Sequence, residues 1–448
     1  MSIFRAYDVR GIYPTEINEE IALKIGKAFG TFNPGKIVVG DELRLSSPSL
    51  KKNFIEGLIS TGTTVIDIGT VTSPIVMFAN RHFNCDGGVN VSASHNPKQY
   101  NGFKFYSKGG IPIDFETGLI KIKRIFDNEN FAKGKAKLIK KNIINDYSNF
   151  ILNLIDMKKP INMKVVVDAG NGSTGKIYPD ILRKAGIEVH ELFCEPDGNF
   201  PNHEPNPTKT ENLVTLQETV LESGADLGFA FDGDGDRMAV IDDNGSIVYV
   251  GIVFSILIKS ALEKKPGSKI VYTILDSKAI DDVIREHGGI PIVCRVGHTY
   301  ITQRMIDEQA AVAGEISGHY YFKETYGADD ALFACLRLIE YLTKSGKKIS
   351  DFADEFPRYF SQVSEGLRVP IKESEKFSFI DVLKKEFESK GFKIDTLDGV
   401  KIIFDDGWAL FRPSNTEPVI SMSYEAYNKK AFGRIKKFVD DIVKKIPG

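Results

Sequence analysis

Three aspartates separated by single glycines, Asp232, Asp234 and Asp236, crowd their carboxylates into a loop too tight for bulky side chains. Such charges repel one another unless a hard, oxygen-preferring divalent cation relieves them. The Asp-x-Asp-x-Asp pattern also opens an EF-hand calcium loop. Here, however, the sixth position is Arg237 rather than glycine, the twelfth is Asp243 rather than glutamate, and the flanks read as strands. Three carboxylates make an incomplete shell, which suits a Mg²⁺ ion that also ligates a phosphoryl oxygen. Arg237 follows directly and is expected to aim its guanidinium at a phosphate.

Ser92-Ala-Ser-His-Asn-Pro97 stands beyond the end of an apolar strand. Serine is a weak nucleophile unless a base, a metal or prior phosphorylation changes its role. A Ser/His hydrolase is one reading, but neighbours on an extended segment point to opposite faces, which places His95 badly as a base for Ser94. A phosphoserine facing the Asp232 loop fits better, with Ser92 and Ser94 both open. Asn101-Gly-Phe-Lys104 closes the same loop with a turn and a cation. That cation either neutralises a transferring phosphoryl group or, with a lowered pKa, moves a proton. Arg412-Pro-Ser-Asn-Thr-Glu-Pro418 gathers a guanidinium, hydroxyls and an amide suited to a phosphate. Gly314-Glu-Ile-Ser-Gly-His319 offers Glu315 and Ser317 at alternate positions, on one side of an extended chain, where they suit vicinal sugar hydroxyls.

The elements that must position these groups repeat along the chain. Three lysine-led strands, at Lys36, Lys164 and Lys269, are each followed by a helical stretch and a second strand, at Thr63, Ile187 and Ile290. A third apolar element closes each unit and runs into a loop dense in chemistry: Ser92–Pro97, Asp232–Arg237 and Gly314–His319. Strands alternating with helices predict mixed α/β domains with largely parallel pairing, and ligands beyond the carboxyl ends of the strands. The expected architecture is three similar α/β sandwich domains in tandem and a smaller C-terminal α+β domain, around one central cleft. Its expected boundaries are 1–145 for the domain of the Ser94 loop, 146–249 for the metal loop, 250–358 for sugar recognition, and 359–448 for phosphate binding. In the last domain the pattern predicts a strand at Leu367–Ile371, a helix from Ser378 to Lys390, strands at Gly399–Phe404 and Ala409–Arg412, and a closing helix from Lys429.

Composition agrees with a small-molecule role. The 448 residues carry 58 Lys plus Arg against 60 Asp plus Glu, so no global field favours nucleic acid or an anionic membrane. With 42% hydrophobic and 26% charged residues, folding is expected throughout. Cys85, Cys194, Cys294 and Cys335 form no metal-ligand spacing and read as reduced, buried thiols. No leader and no apolar run of about 18 residues is visible, so the expected location is the cytoplasm. Oligomeric state is left open.

Taken together, these motifs resemble the α-D-phosphohexomutase superfamily, specifically its phosphomannomutase/phosphoglucomutase branch, through all four domains in order. The resemblance implies that Ser94 is the phosphorylated residue and that Asp232, Asp234 and Asp236 hold one Mg²⁺ per chain with a phosphoserine oxygen. The opening Phe4-Arg-Ala-Tyr-Asp-Val-Arg-Gly11 brings Tyr7 and Arg10 to the cleft, where Arg10 and Lys104 flank the transferring group. By the same resemblance Glu315 and Ser317 bind the sugar 3- and 4-hydroxyls, and His298 and His319 line the site, His319 as a candidate acid/base. Arg412, Ser414, Asn415 and Thr416 hold the other phosphate. The implied reaction interconverts hexose 1-phosphate and hexose 6-phosphate, of mannose and glucose, through a hexose 1,6-bisphosphate. Phosphoglucosamine mutase is the nearest alternative, but that branch shows Gly-Glu-Gln-Ser-Gly-His and Thr-Asp-Gly-Ile-Arg-Gly where this chain has Ile316 and Tyr7-Asp-Val-Arg10. A sugar-phosphate-binding or calcium-binding protein is the non-enzymatic one. Pro413 stands where the family more usually has alanine or glycine. Gly40-Asp-Glu-Leu-Arg44 departs from the family's Gly-Arg-Asp-x-Arg, so no ion-pair role carries over to Asp41, while Arg44, Ser46 and Ser47 match.

Overall fold

The sequence repeat becomes a repeat of topology. The computed structural model describes residues 3–157, 161–414 and 417–446. In the first sheet the strand Lys36–Asp41 lies between Thr64–Thr70 and Gly87–Val91, parallel to both, and Tyr100–Ser107 pairs antiparallel with Gly87–Val91. The second sheet repeats this order with Glu188–Leu192, Lys164–Asp168, Leu227–Phe231 and an antiparallel Met238–Ile241. The third does so with Ile290–Cys294, Lys269–Thr273, Val312–Gly314 and an antiparallel Tyr320–Phe322. Short strands Val9–Ile12 and Leu138–Lys140 extend the first sheet at its two edges. Pairing is therefore mixed, and each chemical loop is the turn of a hairpin between the third strand and its antiparallel partner.

Local sequence explains the covering helices. The helix Glu19–Phe32 is capped by the Asn18 side chain, which accepts from the Ile21 N–H, and carries Glu19 and Glu20 where the helix dipole favours them. It packs against the helix Ser47–Ser60 at a crossing that only glycine permits. A Cβ on Gly26 would lie 2.1 Å from the Phe54 carbonyl oxygen, and one on Gly57 would lie 2.2 Å from that of Leu23. Beneath them Phe29, Phe54, Phe103 and Phe105 fill one face of the first sheet, each fully buried phenyl contributing about 1.5–3 kcal/mol. The other face of that sheet opens into an apolar core that continues through the second and third units.

The C-terminal unit is a five-stranded antiparallel sheet, Phe360–Pro370, Val419–Ala426, Gly407–Pro413, Val400–Phe404 and Ile394–Asp395, with helices Lys376–Ser389 and Lys429–Val443. The strand Val419–Ala426 is one the sequence pattern did not predict, and Phe360–Pro370 starts seven residues before the predicted Leu367 because a bulge lies between Gln362 and Leu367. This unit meets the third through Ile274, Val363, Trp408 and Leu410. Polar contacts cross the same seam. Lys401 donates to the Ile274 carbonyl at 2.9 Å and lies 3.9 Å from the Trp408 ring centre, while Glu425 accepts from the Lys278 N–H at 2.9 Å and from Trp408 at 3.2 Å. All four cysteines are free and buried. Among the described residues no helix is long and apolar enough to cross a membrane.

One buried contact in the second unit makes stability depend on pH. His203 Nε2 lies 3.0 Å from Asp168 Oδ2, and Nδ1 donates to the Glu204 carbonyl at 2.8 Å. Burial disfavours the charged ring, but Asp168 outweighs it and raises the pKa above the ordinary histidine value. The contribution is thus fully present below about pH 6.5 and is lost as pH rises through the raised value. The thermal midpoint of the native chain should exceed that of His203→Gln most near about pH 6, with the gap closing as pH rises through the raised histidine value. A gap independent of pH would assign the contact to packing alone.

Candidate active site

Hairpin turns from three units meet at one cluster of buried charge. Asp232, Asp234 and Asp236 are all buried, and an oxygen from each lies within 4.8 Å of the others. The intervening glycines are required by contact. A Cβ on Gly233 would stand 2.7 Å from the Ser94 carbonyl oxygen, and one on Gly235, at φ +75°, would stand 2.4 Å from the Tyr178 hydroxyl. Backbone bonds stitch the loop in place: the Ser73 N–H donates to the Asp234 carbonyl at 2.8 Å and the Met238 N–H to that of Gly318 at 3.0 Å. Asp234 Oδ1 is buried with no hydrogen-bond partner. A confined set of carboxylates with an unsatisfied oxygen fits a small, hard divalent cation.

Ser94 faces this loop, its Oγ donating to Asp232 Oδ2 at 2.8 Å. Ser92 plays a different part. Its hydroxyl accepts from the Ser94 N–H at 2.9 Å and donates to Asp234 Oδ2 at 3.1 Å. The expectation that His95 points away from Ser94 is overturned, since His95 Nδ1 lies 3.0 Å from Ser94 Oγ. The segment is not extended there. Ser94 adopts φ +54°, a left-handed conformation that costs a non-glycine residue about 1–3 kcal/mol and swings its side chain toward its neighbour's. Burial, then Arg237, Arg10 and Lys104, push the His95 pKa well below the ordinary value, so the ring is neutral. Among the described residues no carboxylate bonds its other nitrogen, which leaves a hydrolase triad incomplete.

Cations surround the carboxylates. Lys104 Nζ bridges Asp234 Oδ2 and Asp236 Oδ2 at 2.6 Å each. Burial works against its charge, but those two aspartates hold its pKa well above the ordinary lysine value. Arg10 donates to Asn96 Oδ1 at 2.6 Å and Asp8 Oδ2 at 2.5 Å, leaving a buried Nε without a partner. Arg237 Nε lies 4.0 Å from Asp232 Oδ2 and next to His319.

The third unit's turn supplies Glu315, Ser317 and His319. Ser317 Oγ donates to Glu315 Oε1 at 2.7 Å, and the two share a side as expected, although a turn rather than strand alternation brings them together. His319 Nδ1 is 2.7 Å from Glu315 Oε1, and Nε2 is 3.2 Å from Asp236 Oδ1. Burial disfavours its charge, but Asp236 and Glu315 raise the pKa to about 10, so the ring is a cation and a donor. His298 is instead neutral, burial with Lys104 and His319 nearby lowering it to about 4. Its ring packs edge-on to Tyr7, whose hydroxyl donates to the Val296 carbonyl at 3.2 Å.

From the C-terminal unit Arg412 presents a guanidinium whose Nε and Nη1 are buried without hydrogen bonds, Nη1 lying 3.6 Å from Asp398 Oδ2. Ser414 is buried beside it in sequence; Asn415 and Thr416 lie outside the described residues. Sequence reasoning missed Ser73, which donates to Asp234 Oδ2 at 2.6 Å, and Asp329, which lies 3.8 Å from His319 Nε2. Neither sits in a dense motif. It also carried no ion pair over to Asp41, yet Lys51 Nζ bridges Asp41 at 2.6 Å and Asp67 at 3.1 Å.

Comparison with known proteins agrees with this assembly. Family models described as phosphoglucomutase/phosphomannomutase alpha/beta/alpha domains I, II and III match residues 1–133, 145–245 and 251–359, and the C-terminal domain model matches 367–442. The chain is 37% identical to a phosphomannomutase/phosphoglucomutase of Pseudomonas aeruginosa, covering 97% of this chain and 94% of that one. It is also 37% identical to a phosphoglucomutase/phosphomannomutase of Thermococcus kodakarensis, over 96% and 95%. The crystal structure of a phosphoglucomutase/phosphomannomutase family protein from Burkholderia thailandensis superposes with a TM-score of 0.91 at 32% identity, over 99% of this chain and 97% of the other. The four-part fold, the convergent loops and the near full-length similarity lead to one assignment: the chain belongs to the phosphoglucomutase/phosphomannomutase family of mutases.

Proposed function

We propose that this chain interconverts hexose 1-phosphate and hexose 6-phosphate, of mannose and glucose, with Ser94 as the phosphate carrier. The observation that carries the reading is the seat of Ser94 Oγ, against Asp232 and within a ring of cations. That is where a dianionic phosphoserine finds compensation and an unmodified serine finds no complete catalytic triad. Asp232, Asp234 and Asp236 would hold one Mg²⁺ with a phosphoserine oxygen, and the ion supplies charge neutralisation for the transferring group.

The residues of the chain do the rest. Lys104 stays charged beside the donor oxygen, and the free Nε of Arg10 offers a donor to the phosphoryl oxygens. Glu315 and Ser317 accept and donate to the sugar 3- and 4-hydroxyls, which leaves carbon 2 unread and admits both sugars. Arg412 and Ser414, with Asn415 and Thr416, grip the phosphate that is not reacting; the unsatisfied donors of Arg412 support that role. In the first half-reaction the Ser94 Oγ–P bond breaks as a P–O bond forms to the free sugar hydroxyl, whose proton passes, in net, to the freed Ser94 Oγ. The resulting hexose 1,6-bisphosphate turns over and returns its other phosphate to Ser94 Oγ, so added bisphosphate acts as an activator. His319, set between Asp236 and Glu315, is the candidate acid/base. Tyr7, His298 and Arg237 line the substrate cavity. We also assign the four roles to residues 1–145, 146–249, 250–358 and 359–448, and the reduced thiols to a cytoplasmic setting.

Ser94→Ala should lower turnover of glucose 1-phosphate and mannose 1-phosphate by about 1,000-fold or more, and remove a phosphoryl group from the intact mass of the purified protein. Undiminished turnover would move the carrier, with Ser92 next. Asp234→Asn removes one charge from the cation site and should weaken Mg²⁺ binding in calorimetry by roughly 100-fold. Unchanged affinity would place the ion elsewhere.

A further inference from the structure

Beneath the Ser94 loop lie two charged side chains that take no part in the chemistry above. Arg44 and Glu42 are 2% and 1% exposed. Every N–H of the Arg44 guanidinium is used. Nε donates to Glu42 Oε1, Nη1 to the carbonyls of Pro97 at 2.8 Å and Tyr100 at 3.0 Å, and Nη2 to those of Ser94 and Asn96 at 2.8 Å each. All four carbonyls belong to the one loop between Ser94 and Tyr100. Glu42 Oε1 also accepts from the Ala93 N–H at 2.7 Å, and its backbone N–H donates to the Val91 carbonyl at 2.9 Å. The pair therefore holds the loop at its entry, at Ser94 itself and at its exit.

Two further contacts tie this clamp to the second unit. The Phe200 ring lies 5.3 Å from Arg44 Cζ. Glu42 Oε2, buried without a hydrogen bond, faces the metal loop, where a Cβ on Gly233 would come within 3.2 Å of it. A left-handed serine does not hold that conformation unaided, and here its carbonyl is fixed by Arg44 and its N–H by Ser92.

We propose that Arg44 and Glu42 are positioning residues for phosphoryl transfer, holding Ser94 left-handed so that its Oγ stays on the metal loop. The inference rests on the reading of Ser94 as phosphate carrier. A planar fork with five donors is what four converging carbonyls and a carboxylate require; lysine carries the same charge but only three hydrogens on one atom. Glu42 is one methylene longer than the aspartate of the pattern it resembles, and still reaches both the guanidinium and Ala93.

The test is steady-state kinetics on the full chain with glucose 1-phosphate, comparing Arg44→Lys, Glu42→Gln and Ser94→Ala. A misplaced reacting group loses rate rather than affinity, so Arg44→Lys should lower kcat by roughly 100-fold with KM within about threefold. Glu42→Gln keeps the shape but not the charge and should lower kcat by roughly tenfold with the same unchanged KM. Circular dichroism should show both folded. A folded Arg44→Lys with kcat within about twofold of the native chain overturns the proposal. So does loss of the fold in both variants, or a rise in KM matching the fall in kcat, since either marks a general structural role. Should Ser94→Ala itself retain turnover, the carrier assignment fails first and the positioning role falls with it.

Discussion

Three carboxylates buried within one short turn are the constraint around which this molecule is arranged. Two unit charges about 4 Å apart interact by about 4 kcal/mol at an effective dielectric constant near 20, so Asp232, Asp234 and Asp236 are untenable without nearby positive charge. No single unit of the chain supplies it. Lys104 and Arg10 come from the first, Arg237 from the second and His319 from the third. Charge balance thus draws the units into one site above the apolar core that runs through them, and it explains why buried groups as costly as these are tolerated.

The same hairpin, used three times, divides the labour. A parallel strand turning back into an antiparallel partner leaves a tight loop at the carboxyl edge of each sheet, where the strand order reverses around the first strand. One loop carries Ser94, the next the acidic cluster, the third Glu315, Ser317 and His319. Backbone bonds to the neighbouring units, from Ser73 at the start of the helix Ser73–His82 to Asp234 and from Met238 to Gly318 of the third turn, fix the acidic loop without demanding particular side chains.

Legibility followed density. Motifs in which several functional groups sit within six residues announced the acidic loop, the Ser94 loop, the Glu315–His319 turn and the Arg412 strand end. Periodicity announced the repeated strands and most of their helices. What stayed hidden were interactions that span the chain or depend on a single dihedral angle. The contact of Ser94 with His95 follows from a positive φ at a residue that rarely adopts one, and the assumption of an extended segment gave the opposite answer. Ser73 reaches Asp234 across 161 positions. The strand Val419–Ala426 was missed although Ile420, Met422, Tyr424 and Ala426 alternate with Ser421, Ser423 and Glu425 at the period of a half-buried strand, and in the fold its main chain pairs on both sides. At Asp41 the pattern lost an arginine, and a lysine one helical segment later, Lys51, took up the pairing.

The seam between the third and C-terminal units carries the chain's one tryptophan, Trp408, buried against Ile274 and Leu410, beneath an ammonium and bonded to Glu425. Indole emission shifts with polarity and is sensitive to a nearby charge. Any separation of these units would wet this ring and withdraw Lys401 from its face, while the rest of the molecule contributes no indole signal. The protein therefore carries its own optical gauge of how its C-terminal unit sits against the others, with no label to be added.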